Sequence, residues 1–178
     1  MKTNRFKVDF VEVANDNIPQ LVFNDNSFLY KSNDHEDVVI SFDKITKIKI
    51  SLVDRIYNPS VGILEDGFKG LLSHRNAGQF SIYFNYYFDL DIYSDQGDYF
   101  FESSDLEEAS KCILGLPDKL VIEDNLKLIN LFRSKPFDKA HKYIDENYKE
   151  WANKFDLDNP RTTLDPTMVK LVEAKLNK

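Results

Sequence analysis

The sequence predicts an α+β protein: a bent, mostly antiparallel seven-stranded sheet or barrel over residues 1–115, capped by one helix, then a helical extension over 116–178. Three observations carry this. Apolar residues alternate at period two through the first two thirds, a capped helix signal closes that stretch, and the apolar period then lengthens to that of helices. The charge divides at the same place. Residues 1–115 hold 11 basic and 19 acidic groups, net −8, and residues 116–178 hold 12 and 11, net +1.

The strands follow in order. Phe6, Val8 and Phe10 alternate with Lys7 and Asp9. Leu21-Val22-Phe23 and Phe28-Leu29-Tyr30 are short apolar runs split by the turn-forming cluster Asn24-Asp25-Asn26. Val38-Val39-Ile40 comes next, and then Ile48, Ile50 and Leu52 between Lys47, Lys49 and Ser51. The strongest alternation has Phe80, Ile82, Phe84, Tyr86, Phe88, Leu90 and Ile92 on one face. A run of that length is about twice an ordinary strand, so a strong bend or a break near Asn85 is expected. Ser94-Asp95-Gln96-Gly97 turns the chain into a last strand over 98–102.

Ser104 and Glu107 form a Ser-x-x-Glu capping box for a helix whose inner face is Leu106, Ala109 and Ile113. Gly115 is placed to end it in a left-handed conformation, and Pro117 blocks its continuation. Beyond it, Leu126, Ile129 and Phe132 predict a helix ending near Arg133. Ser134 and Pro136 open a longer one through Ala140, Ile144, Tyr148, Trp151 and Phe155. After a loop over 156–163, Asp165 and Pro166 start a final helix carrying Met168, Leu171 and Val172.

Composition narrows the function classes. The 178 residues carry 23 Lys+Arg against 30 Asp+Glu, a formal charge of −7, with nine Tyr and fourteen Phe. An acidic chain is a poor coat for nucleic acid, whose affinity comes from clustered Lys and Arg. A single cysteine, Cys112, excludes a disulfide framework within the chain and reads as a small buried hydrophobe. Residues 1–10 lack the apolar run of a signal peptide, and no stretch reaches the ~18 apolar residues of a membrane span. The expectation is a cytoplasmic protein. There is no dinucleotide fingerprint, Walker loop, zinc-protease motif or nucleophile elbow, so no catalytic residue, cofactor or metal is assigned. His35, His74 and His141 read as solvated surface residues.

Two surfaces are candidates for contact. The odd-numbered face of the long strand gathers Tyr83, Tyr87 and Tyr93 with Asn85, Asp89 and Asp91; tyrosine offers a large apolar body and a polar tip to a partner. This stripe is either a docking face or the floor that Tyr148, Trp151 and Phe155 cover. Asp89 and Asp91 also suggest a divalent-cation site, although the EF-hand spacing breaks at Tyr93 and Ser94; the alternative is a charged outer face that discourages edge pairing. The second surface is the long segment 57–79, which holds four of the six glycines and Phe68, Lys69, His74 and Arg75. It reads as a binding loop for an anion or acidic peptide, or as a structural insertion with a short helix at 67–73.

The order of strands followed by one capped helix resembles a bacterial pleckstrin-homology-like (PH-like, GRAM-type) domain over residues 4–115. The likeness is carried by Ile40-Ser41-Phe42-Asp43-Lys44-Ile45-Thr46-Lys47-Ile48 and by Ser94–Glu102 with the helix that follows. The resemblance implies a protein- or lipid-binding module. Its phosphoinositide-binding members carry basic residues around the first loop, whereas here that loop is Ala14-Asn15-Asp16-Asn17-Ile18-Pro19 and has none, which disfavours a lipid headgroup. The functional expectation is therefore a non-catalytic interaction module. It would bind a protein with a basic surface, as an inhibitor, immunity-type protein or phage-encoded regulator does, with self-association as a further possibility. A metal-dependent enzyme or sensor using Asp89 and Asp91, or an anion binder through 67–75, is the alternative.

Overall fold

The computed structural model describes residues 5–58, 62–63 and 83–160. Segment 64–82, with Phe68, Lys69, His74, Arg75 and the short helix expected at 67–73, lies outside the described residues, as does the helix expected from Asp165. In chain order the strands are β1 (Phe6–Lys7), β2 (Asp9–Val11), β3 (Gln20–Phe23), β4 (Ser27–Lys31), β5 (Val38–Ser41), β6 (Ile45–Asn58), β7 (Gly62–Ile63), β8 (Tyr83–Ser94), β9 (Gly97–Ser103) and β10 (Ile122–Glu123). The helices are α1 (Leu106–Leu114), α2 (Leu128–Ser134) and α3 (Phe137–Phe155), and a 3-10 turn covers Phe42–Lys44.

The class is α+β, as the alternating and helical periods predict. The described strands, however, form two sheets and close no barrel. One sheet has the order β1-β9-β8-β6-β10, with β7 also paired to β6, and the other has the order β2-β3-β4-β5. A single seven-stranded sheet is therefore not what the described strands build. The reason lies at Val8. Its N–H bonds the Glu102 carbonyl of the first sheet, while the next N–H, that of Asp9, bonds the Pro19 carbonyl of the second. One short alternating segment thus splits between two ladders.

The chain divides into two compact units. The first comprises Met1–Leu52 with Tyr87–Asn147, and the second Val53–Tyr86 with Tyr148–Lys178. This differs from the division expected at residue 115. Beyond α1 the chain returns to add β10 in parallel beside β6, with Ile122 opposite Ile48. Two residues with no periodicity carry that strand, so the pattern of the sequence does not announce it.

In the first unit, the second sheet's hairpin has Phe23 opposite Phe28 and the Asn24 N–H bonding the Ser27 carbonyl across the Asn-Asp-Asn turn. The aromatic rings Phe10, Phe23, Phe28 and Phe42 then follow one another at centroid spacings of 5.4, 5.0 and 4.9 Å. Phe10 also meets Phe88 of β8 edge-on at 6.1 Å, so the two sheets share this core. Phe10, Phe28 and Phe88 are fully buried. Each stabilises the fold by about 1.5–3 kcal/mol relative to exposure. β8 runs as one strand through Asn85, so of the bend or break expected there, the break does not occur.

Helix α1 begins one residue later than the capping box predicts. Asp105 is the cap, its carboxylate accepting the Glu108 N–H at 3.0 Å, and Ser103 Oγ accepts the Asp105 N–H. Aspartate caps as well as serine, and this register buries Leu106, Ala109 and Ile113 as the spacing requires. Cys112 is buried beside them. Gly115 ends the helix in right-handed geometry, φ −82°, with its N–H on the Cys112 carbonyl, so the left-handed cap expected there is replaced by a tighter turn. In α2 the capping side chain is Asp124. Its carboxylate accepts the N–H groups of Leu128 and Ile129, both at 2.9 Å, while Lys127 between them is left-handed at φ 57°. In α3, Ala140 and Ile144 are fully buried within the first unit.

The second unit holds the far end of α3. Tyr148 and Ala152 are buried, the Leu157 N–H bonds the Ala152 carbonyl, and Asp156 takes the left-handed conformation that ends the helix. Asp156 is where the sequence predicts the loop to start.

Candidate interaction face

The odd-numbered residues of β8 were candidates for a partner surface. Tyr87, Asp89 and Asp91 retain only 5, 5 and 7% of their accessible area, and Tyr93 is half-buried. The backbone of Tyr83 continues the same strand. Both faces of β8 are thus covered from Tyr86 to Ile92. Asp89 and Asp91 are buried and do not form the charged outer face that the alternation of the strand suggests.

The reason is Arg5, which stands just ahead of β1. Its Nε lies 3.2 Å from Asp89 Oδ2, its Nη1 hydrogen-bonds Asp91 Oδ1, and Nη1 also reaches the Phe101 carbonyl at 3.5 Å. Glu102, opposite Asp89 in the ladder, is buried as well. Burial works against the guanidinium charge. The hydrogen bond to Asp91 and the charges of Asp89, Asp91 and Glu102 outweigh it and hold Arg5 above its ordinary value. A buried carboxylate needs a hydrogen-bonded counter-charge. Here an arginine supplies it, in the place of the divalent cation that two aspartates on one strand face suggest. Among the described residues, no group of three or more His, Cys, Asp or Glu is arranged to hold a metal ion.

Tyr93 belongs to a row that crosses the larger sheet. Lys47 Nζ of β6 sits 4.7 Å from the Tyr93 ring centroid, within the range of a cation–π contact, and Lys47 also pairs with Glu123 of β10 at 3.3 Å. On the other side the Tyr93 ring meets Phe100 of β9 edge-on at 6.0 Å, and the Arg5 guanidinium lies 6.0 Å over Phe100. The ladder accounts for this order, because Asp91 pairs with Phe100 and Tyr93 with Asp98, which puts these side chains on one face. Glu123, Lys47, Tyr93, Phe100 and Arg5 are all half-buried. Burial, and next the charge of Asp91, push the Tyr93 hydroxyl above the ordinary phenol value, and Lys47 opposes them. The row is therefore a half-buried surface of two aromatic rings set among three charged side chains, with its phenol protonated at neutral pH. Of its members, Tyr93 was legible from the period-two pattern. Phe100 could have been reached by folding the Ser94–Gly97 turn, and Lys47, Glu123 and Arg5 had no local signal.

Cover of the tyrosines by the C-terminal helices takes a different form from the one expected. In the second unit Tyr148 packs on Tyr86 at 5.0 Å, on the even-numbered face of β8. The histidines within the described residues are ordinary. His35 is exposed and packs on Tyr30 at 4.9 Å, and His141 stands 3.3 Å from Asp145 one helical turn on. Cys112 is held by burial, and next by the charges of Glu12 and Glu108, as a thiol whose pKa is pushed up to about 12. The described helices include none long and apolar enough to cross a membrane. Compared with protein-family models, with curated proteins and with solved structures, the chain matches none of them.

Proposed function

We propose that this chain is a non-catalytic protein-binding module that docks a basic surface of a partner protein, in the manner of an inhibitor or immunity-type protein. The observation that carries protein binding is the row Lys47–Tyr93–Phe100–Arg5, with its two partly accessible aromatic rings; the basic character of the partner rests on the acidic charge of the rest of residues 1–115 and not on the two cations of the row. Tyrosine, phenylalanine and arginine are among the residue types enriched where proteins meet, the aromatics because they bring large contact area at low entropic cost and arginine because its planar fork both hydrogen-bonds and stacks. The net −8 of residues 1–115 adds long-range attraction for a basic partner. A PH-like module remains the finer form of this reading. The β8–β9 hairpin running into α1 supports it, and the division of the strands into two sheets departs from it.

The test is capture from the native host, identification of the captured protein, and reconstitution with purified components. Tyr93→Ala/Phe100→Ala should weaken that reconstituted complex by at least about 2 kcal/mol, the scale of an interface hot spot, while the fold is retained. An unchanged affinity in a folded double variant sinks the reading. Light scattering of the chain alone identifies self-association, which would turn the face into a homo-oligomer contact.

A further inference from the structure

The open edge of the smaller sheet nominates a second contact that the aromatic row does not use. β5 ends the order β2-β3-β4-β5, and among the described residues no strand pairs with its far side. Which backbone groups face outward follows from the hairpin beside it. The Asn24 N–H bonds the Ser27 carbonyl, so Ser27 turns its polar groups toward β3. Period two then turns those of Phe28 and Tyr30 toward β5. The Phe42 N–H on the Asn26 carbonyl fits the same phase. Within β5, Val38 and Ile40 therefore bond back to β4, opposite Tyr30 and Phe28; Val39 directs N–H and C=O outward and Ser41 its N–H, the Ser41 carbonyl being the one that opens the 3-10 turn.

Proteins protect such edges by placing charges on the strand, shortening it or covering it. Here the other described edges are handled in those ways. β1 and β10 have two residues each, β1 contains Lys7 and follows Arg5, and α1 packs against β2. β5 itself is four uncharged residues, Val38-Val39-Ile40-Ser41, with Val39 57% exposed. Its charges stand at its two ends instead. Asp34, Glu36 and Asp37 are exposed before it, and Asp43 is exposed after it beside Lys44. Asp43 stays ionised, its carboxyl held below the usual range chiefly by the Ser41 hydroxyl.

We propose that β5 is a strand-addition site for an extended segment of a partner protein that carries Lys or Arg alternating with apolar residues. The inference rests on the protein-binding reading above and names the segment the partner would supply. Backbone bonds to Val39 and Ser41 give such a segment its hold, Val39 offers its apolar residue a neighbour, and the acidic ends select its charge. A second copy of this chain fits worse. Antiparallel pairing of β5 with itself, Val39 opposite Ser41, would set Asp37 against Asp43 at both ends of the pair, and like charges there repel.

The probes are an alternating Lys-Val hexapeptide and its Glu-Val counterpart, followed by amide NMR on the full chain. The Lys-Val peptide should shift the Val39 and Ser41 amides and slow their hydrogen exchange, and the Glu-Val peptide should not. Val39→Pro removes one outward N–H and no bond to β4, and should weaken peptide binding by about tenfold or more. Asp34→Lys/Glu36→Lys/Asp37→Lys should do the same at low salt without touching the edge. No shift at Val39 and Ser41 with millimolar Lys-Val peptide overturns the proposal, as does their protection in the chain alone through self-pairing. A host partner lost by Tyr93→Ala/Phe100→Ala but kept by folded Val39→Pro also overturns it, while leaving the protein-binding reading intact. If the peptide binds at β5 and no variant of the aromatic row affects the host partner, the row is what fails.

Discussion

The hydroxyl of Tyr148 joins two backbone segments of the second unit, accepting the Asp54 N–H at 2.7 Å and donating to the Asp158 carbonyl at 2.6 Å. Asp54 and Tyr148 are both buried, and the Arg55–Asp158 ion pair closes the same circuit. Tyr148→Phe keeps the ring on Tyr86 and removes only the oxygen. A buried N–H left without that acceptor costs about 1–3 kcal/mol. Urea denaturation should show that loss, and each kcal/mol should lower Tm by about 2–4 °C at this chain length. The Asp54 amide should also exchange faster. A variant as stable as the parent would mean that the hydroxyl carries none of this.

The same hydroxyl makes the fold sensitive to alkali. Burial raises its pKa well above the ordinary phenol value, with the charge of Asp54 in the same direction and the backbone bond from Asp54 opposing. A phenol that holds its proton more tightly folded than unfolded binds more protons in the native state once the unfolded phenol ionises. Stability is therefore complete below a pH of about 10 and falls as pH rises from there toward the folded value. Denaturation midpoints measured from pH 8 to 11 should decline for the parent, and less steeply for Tyr148→Phe. Parallel profiles would contradict the assignment.

Arg5 fastens the start of the chain to β8 through Asp89 and Asp91. Removing one partner of a buried pair leaves the other charge uncompensated, which costs about 3–5 kcal/mol for full burial. Arg5 keeps 18% of its side-chain area, so Arg5→Ala should cost somewhat less than that range. Arg5→Lys should recover only part, since an ammonium cannot fork between two carboxylates. A double-mutant cycle with Asp91→Asn should return a coupling of about 0.5–3 kcal/mol. Additive losses would show that the pair does not act together.

These residues show where the sequence was and was not readable. The even-numbered run Tyr86, Phe88, Leu90 and Ile92 is buried as period two requires, because alternation is a local property of a strand. The odd face gave a misleading signal. Aspartates between tyrosines look like a solvated surface until their counter-ion is known, and Arg5 lies 86 positions from Asp91. Nothing local separates Arg5 from Lys7. The α1 cap slipped by one residue because Ser103-Ser104-Asp105 offers several competent caps in a row, and only packing of Leu106, Ala109 and Ile113 selects among them. The aromatic row was half legible, since its middle is set by one turn and its ends by pairing across the sheet.

Asp124 is a cap that the pattern of the sequence did not reveal. It stands outside α2 and holds two of the N–H groups that the first turn cannot satisfy internally. Asp124→Ala should cost about 1–2 kcal/mol, at the upper end for a single cap because two bonds are lost. Asp124→Asn should recover only part of it, since the carboxylate takes the Leu128 N–H on Oδ1 and the Ile129 N–H on Oδ2, whereas an amide has a single accepting oxygen. Chemical denaturation of the three proteins orders them directly. Equal stability of the alanine and parent chains would remove Asp124 from the account.

Cys112 reports on the integrity of α1 and its seat. A thiol pushed up to about 12 by burial and by Glu12 and Glu108 has little thiolate at pH 8. Only the thiolate reacts with iodoacetamide, so its fraction falls to ~10⁻⁴, about 10³-fold below that of an ordinary cysteine. Native protein should label at least that much more slowly than protein in urea, with the residual rate tracking transient opening of the helix. Asp105→Ala, which removes the carboxylate that caps α1, should raise that rate in proportion to the population of the open form. Stoichiometric labelling of the native chain within minutes would show that Cys112 is accessible and that the packing of α1 has been misread.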